Sequence, residues 1–151
     1  MKIWVDADAC PRPIKDIVIR AALRVEVAVT LVANHAMDVL QHPLVKLIRV
    51  DKGSDVADTY IVDSLTSDDL VITADVPLAD RVVAKGALAI NPRGEVYSTE
   101  SIREALSLRN FMTLVRDSGV VTGGPRPFSE KDKRLFAASL DKILSRKLRS
   151  L

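Results

Sequence analysis

Ile3-Trp4-Val5 is an unbroken apolar run, the pattern of a strand buried on both faces rather than on one. Four more short runs follow at Val25–Val32, Lys46–Val50, Leu70–Thr73 and Ala87–Ile90. Helical patterns stand between them. Pro13–Leu23 puts Ile14, Ile17, Val18 and Ala21 on one side and Lys15 and Arg20 on the other. Ser54–Leu65 carries Val56, Tyr60 and Val62, and Pro77–Lys85 is closed by Gly86, the usual residue just past a helix end. Thr99–Asp117 and Ser129–Leu148 read as longer helices, the second capped by Ser129 with Asp132 favouring its first turn. Ala33–Leu44 is expected to hold at most a short helix. Strands separated by helices need right-handed crossovers and hence a parallel sheet. The expected fold is a three-layer α/β sandwich with a central parallel sheet of about five strands. It is read as a single domain over residues 1–151, of which 122–151 form a Gly/Pro loop and a basic C-terminal helix.

A chain of 151 residues supports one full core and is too short for two ordinary domains. Its single cysteine excludes an internal disulfide and makes a reducing cytoplasm the expected compartment. No apolar run reaches the roughly 18 residues that span a bilayer, and the first residues enter a strand rather than a signal-peptide pattern, so no membrane association is expected. Charge is uneven. Residues 125–151 carry eight Lys or Arg against three Asp or Glu, while the rest carries 14 against 17. A basic end on an acidic body suits an anionic partner such as nucleic acid, or a solvated helix face.

The acids gather after the strands. Asp6 and Asp8 follow the first, Asp51 follows the third, Asp55 and Asp58 open the next helix, and Asp75 follows the fourth with Asp80 one turn further on. In open α/β sheets the functional crevice lies beyond the C-terminal strand ends, where the strand order switches. In a 3-2-1-4-5 order, Asp6 and Asp75 would face each other there, and Asp55 and Asp58, three apart, would share a helix face. Converging carboxylates repel and raise one another's pKa. A divalent cation removes that repulsion, and hard oxygen ligands suit Mg²⁺ or Mn²⁺. Such an ion could activate water and stabilise a phosphodiester under attack. Asp is also a favoured helix cap, and Asp8, Asp55, Asp58 and Asp75 all stand at or before expected helix starts. Spacing alone leaves ligand and cap both open.

Other residues carry weaker signals. Cys10 reads as a small buried hydrophobe. His35 and His42 lack zinc spacing and read as surface residues. Asn34 could orient substrate or shape a turn. Arg93 in "NPRG" could grip a phosphate, as could Arg109 and Arg116 on the long helix. Gly123 and Gly124 in "TGGPRPF" could offer amides to an anion, with Arg126 adding charge. Aromatic residues are few, which argues against a base-stacking surface.

"VDADACP", "VAN", "DVAD", "VITADVPLAD", "NPRG", "FM" and "TGGPRPF", in that order, resemble the bacterial YaiI/YqxD family over nearly the whole chain. That uncharacterised family is grouped with PIN-like domains, metal-dependent nucleases with acidic sites on a 3-2-1-4-5 sheet. The resemblance implies that order. It implies Asp6 and Asp75 as strand-end acids, Asp55 or Asp58 as the helix acid, and Asp80 as a supplementary ligand. Asp8 adds a second acid where the PIN pattern needs one, and the helix acids are Asp where Glu is common. The implied activity is Mg²⁺- or Mn²⁺-dependent hydrolysis of RNA more than DNA, with Asp6, Asp8 and Asp75 catalytic. Two other readings stay open. "WVDADA" is similar to the opening of haloacid-dehalogenase phosphatases, with Asp6 as nucleophile and Asp8 as acid/base, although Thr73, Lys85 and Asp68-Asp69 match that family poorly. The third is a non-catalytic RNA-binding or partner-binding domain that uses the basic helix.

Overall fold

A computed structural model describes residues 1–53, 55–117 and 128–149, with the side chains of 109–117 and 149 outside that description. The strands are β1 Lys2–Asp6, β2 Ala28–Ala33, β3 Val45–Arg49, β4 Leu70–Ile72 and β5 Leu88–Ile90. The helices are α1 Arg12–Arg24, α2 Val56–Ser64, α3 Val76–Ala84, α4 Thr99–Asp117 and α5 Glu130–Arg149, with a short 3₁₀ turn at Ala7–Ala9. All five strands are parallel, in the order β3-β2-β1-β4-β5. Sheet class and order are those expected from the sequence.

Successive β1 residues feed opposite faces, as the pleat requires. Ile3 and Val5 join Val29, Leu31 and Ile72 in one core, covered by Ile14 and Val18 of α1 and by Phe136, Leu140 and Leu144 of α5. Trp4 joins Val32, Val71 and Ala89 in the other, covered by Ile61 of α2, Leu78 and Val82 of α3 and Ile102 of α4. The basic C-terminal helix is therefore half core, and its charges occupy what the sheet leaves outside.

One boundary needs correction. β2 starts at Ala28, not Val25, because α1 runs on to Arg24 and closes over the next three residues. The Glu26 amide donates to Leu23 and the Val27 amide to Ala22, with Glu26 at φ 60°, a left-handed closure made without glycine. α3 closes in the same pattern at Gly86, φ 87°, as expected. Residues 34–44 contain no helix. Pro43 is in this stretch, and Met37 and Val39 pack on the α1/α5 core from an irregular backbone. Residues 122–127 of the Gly/Pro loop, including Gly123, Gly124 and Arg126, lie outside the described residues.

Asp69, at the start of β4, ties the sheet together from its N-terminal edge. Its carboxylate accepts from the Lys2 amide, the Trp4 indole N–H and the Thr66 amide, each at 3.0 Å. Burial alone would raise its pKa, but these bonds win and hold the carboxyl below its usual range. Asp69→Ala leaves three donors without their acceptor, an expected loss of about 2–3 kcal/mol. A depressed folded pKa stabilises above the unfolded value of 3.8 and is lost as pH falls through the folded one. The gap between wild type and Asp69→Ala in urea unfolding should therefore be full at neutral pH and shrink in acid.

Candidate functional site

The β1/β4 pairing sets the site. Val5 is level with Ile72, so the next residues, Asp6 and Thr73, emerge side by side at the C-terminal rim. Asp6 is 5% exposed and Thr73 fully buried. The Thr73 hydroxyl donates to Asp6 Oδ2 at 2.9 Å, and its oxygen accepts the Asp75 amide at 2.9 Å. One threonine thus fixes both strand-end acids. Asp75 also caps α3, its Oδ1 accepting the Leu78 amide at 3.2 Å. Capping α3 therefore does not remove Asp75 from the acids of the rim.

Asp58 enters from the first turn of α2. Its pKa is pushed up to about 6, first by burial, then by the charges of Asp75, Asp6 and Asp55, with Arg81 opposing. Asp6 is raised too, by burial above all, then by Asp75 and Asp8, with the Thr73 bond opposing. Asp6, Asp58 and Asp75 therefore share one electrostatic field, with Asp8 and Asp55 at its edges. Among the described residues, no three acid, His or Cys side chains stand close enough as placed to enclose an ion. A raised folded pKa favours the fold below the unfolded value of 3.8, and that contribution is lost as pH rises through about 6. In the metal-free protein, Asp58→Asn is expected to remove this loss, flattening the unfolding temperature between about pH 4 and pH 7.

The remaining candidates divide. Asp8 is turned aside: Oδ2 accepts the Asn34 amide at 2.7 Å, and Oδ1 lies 2.6 Å from His35 Nδ1. Asp55 stands at the α2 N-cap position but at φ 77° and without a side-chain cap bond. Asp80 is exposed on α3 and is not among the charges that raise Asp6 or Asp58. Arg93 Nη1 pairs at 2.6 Å with the fully buried Asp132. Arg109 and Arg116 lie on α4, their side chains outside the description. Cys10 is buried and its thiol is pushed up to about 12 by burial, that of an unreactive core residue.

Sequence reasoning missed four contributors. Thr73 looked only like a poor phosphatase match, although its position two residues before Asp75 was a usable signal. Arg81 faces Asp58 from the next helix, and its Nη1 donates to Thr59 at 3.4 Å. Tyr97 donates its hydroxyl to the Thr73 carbonyl at 3.1 Å. Burial, then Asp75 and Glu95, push that hydroxyl up to about 12, so it stays a neutral donor. His35, read as a surface residue, is exposed but partnered by Asp8. The last three depend on chain crossings that no local pattern records.

The profile of the uncharacterised YaiI/YqxD family matches residues 4–146. The chain belongs to the YaiI/YqxD family. A UPF0178 protein of Shewanella amazonensis is 53% identical over 146 residues, covering 97% of this chain and 98% of that one. A UPF0178 protein of Marinomonas sp. is 52% identical over 149 residues, covering 99% of this chain and 100% of its own. One from Hydrogenovibrio crunogenus is 52% identical over 146 residues, at 97% of each chain. No solved structure matches significantly. YaiI/YqxD relatives of this length thus share the whole chain, and their names state no activity. No helix among the described residues is long and apolar enough to cross a membrane.

Proposed function

We propose that this YaiI/YqxD protein is a PIN-like nuclease, dependent on Mg²⁺ or Mn²⁺, that hydrolyses phosphodiester bonds in RNA more than DNA. The observation that carries the reading is the convergence of Asp6, Asp58 and Asp75, acids from three elements, at the β1/β4 switch point, where burial and then the Asp75 charge raise Asp6, and burial and then Asp75 and Asp6 raise Asp58. Helix capping does not account for it: Asp6 caps nothing and Asp58 is inside α2. An all-oxygen donor set suits a hard divalent ion. Asp6, Asp58 and Asp75 would hold it, with Asp8, Asp55 and Asp80 as peripheral acids. When bound, the ion supplies charge neutralisation and an acidified water. The protein's own part is positional. Thr73 holds the Asp6 carboxylate and the Asp75 backbone amide in register, Tyr97 braces Thr73, and Arg81 favours the ionised form of Asp58.

The phosphatase reading is weaker on this geometry, because both oxygens of Asp8 are engaged and Asp69 serves the sheet edge. The lone, buried cysteine fits a cytoplasmic protein. Backbone contacts to nucleic acid would fall to Arg109, Arg116 and the 123–126 loop, with Asn34 beside Asp8. The deciding experiment titrates Mn²⁺ into the protein by calorimetry and then incubates it with short labelled RNA and DNA. Saturable binding with metal-dependent cleavage is expected. Absent Mn²⁺ binding would leave the acids without a ligand and move attention to α5 as a contact surface.

A further inference from the structure

A cleft of about 690 Å³ opens directly beside the acidic rim. It lies within the range of small-molecule sites, about 300–1,000 Å³. Two walls are the acid-bearing loops themselves: Ala9 follows Asp8, while Ala74 and Val76 flank Asp75. The remaining surface is largely apolar, from Pro11, Val96, Tyr97, Leu108 and Phe128. Val96 is 46% exposed and Leu108 61%, large apolar side chains left open to water on the lip of a polar site.

The charges say which part of a ligand fits. Among the described residues lining the cleft, the basic one is Arg93, and its guanidinium is paired with buried Asp132 and lies 5.9 Å from the Phe128 ring. Glu95 also lines the cleft and is exposed. Asn91 Oδ1 is taken by the Arg93 and Glu95 amides, and Ser101 exchanges hydrogen bonds with Ser98. A phosphate inside the cleft would meet a carboxylate and no uncommitted cation among these residues. A flat, uncharged group with amino donors would meet apolar walls, a tyrosine ring and the Glu95 acceptor.

We propose that this cleft holds the base and sugar of the nucleotide whose phosphate lies at the acidic rim. This rests on the nuclease reading for the phosphate and adds to it a requirement that the nucleotide be unpaired, since a base seated between Tyr97 and Leu108 cannot also pair. Few aromatics exclude an extended stacking surface, but one pocket needs only one base.

The test measures binding of AMP, CMP, GMP, UMP and ribose 5-phosphate in Mg²⁺ by calorimetry. At least one nucleotide should bind ten times or more tightly than ribose 5-phosphate. Ala105→Trp, which fills the cleft, should abolish that preference. Leu108→Ser, at an exposed position, should weaken it should Ala105→Trp not fold. Equal binding of nucleotides and ribose 5-phosphate overturns the proposal, as does a preference unmoved in the folded variants. Dimerisation that rises with concentration and is relieved by Ala105→Trp would give the cleft to a second copy and overturn it too. The two readings fail separately. Nucleosides without phosphate still bind if only the metal reading is wrong, and Mn²⁺ binding with RNA cleavage persists if only the cleft reading is wrong.

Discussion

Asp6→Asn is expected to abolish saturable Mn²⁺ binding, to reduce metal-dependent cleavage at least about 100-fold, and to raise the unfolding temperature of the metal-free protein. The first two effects follow from Asp6 being the most buried of the rim acids and the one closest to the switch point. Altering groups that merely support a metal ligand costs roughly 10–100-fold, so loss of a ligand should cost more. The third effect has the opposite sign because the site is under electrostatic load. Burial above all raises the Asp6 carboxyl, the Thr73 hydrogen bond opposes it, and Asp75 and Asp8 add to the rise. A raised folded pKa means the ionised form is disfavoured in the fold, so Asp6 helps least at neutral pH. Asparagine keeps an acceptor for the Thr73 hydroxyl and removes the charge. Wild type and Asp6→Asn are compared by thermal melts with EDTA and with Mn²⁺. The wild type should gain stability on adding Mn²⁺ and the variant should not. A variant that melts lower than wild type in EDTA, yet binds Mn²⁺ as well, would reduce Asp6 to a structural hydrogen-bond partner.

Asp132→Ala is expected to destabilise the protein by about 3–5 kcal/mol, the typical cost of removing one member of a buried ion pair. Asp132 is fully buried where the loop after β5 meets the start of α5. Its Oδ2 accepts from Arg93 Nη1 at 2.6 Å, from the Ser129 amide at 2.9 Å and from the Ser129 hydroxyl at 3.1 Å. The Ser129 hydroxyl in turn accepts the Asp132 amide at 3.3 Å. This is a reciprocal capping box in which the third helical residue also anchors the sheet edge. Removing the carboxylate takes a buried charge partner from the Arg93 guanidinium, only 26% exposed, and breaks the half of the α5 capping box in which the Ser129 amide is satisfied. Phe136, Leu140 and Leu144 on that helix close one core, so the loss spreads. The contact is also close at the backbone: a Cβ on Gly94 would lie 2.6 Å from the Leu135 carbonyl oxygen, and Gly94 sits at φ 92°. Urea unfolding measures the effect. Asp132→Asn, which keeps an acceptor, should lose clearly less, and equal losses for both variants would make the pair's charge the whole of its worth.

Arg93 and Asp69 show what a linear reading cannot resolve. In sequence, Arg93 is a basic residue in a turn on the functional rim, a reasonable phosphate grip. Its actual partner lies 39 positions on. Asp69 reads as half of an acidic pair before a strand, yet its carboxylate fastens Lys2 and Trp4, more than 60 positions back. Local composition reports a side chain's chemistry but not which distant group occupies it. Thr73 is intermediate, since its spacing to Asp75 is local and its bond to Asp6 is not.

The sequence by itself determined the architecture. Unbroken apolar runs can be satisfied only in a sheet covered on both faces, helices between them force parallel crossovers, and strand-end acids must then share one rim. Ser129 with Asp132 and the glycine at 86 fixed helix ends through short-range bonds that any copy of those residues would make. Tertiary structure alone decided which acids face one another, that Asp8 turns toward His35 and Asn34, that Arg93 belongs to α5, and that an apolar cleft adjoins Asp75. Those outcomes depend on distances between segments far apart in the chain. They are set when the sheet order brings β1 against β4, and no period or spacing along the sequence encodes them.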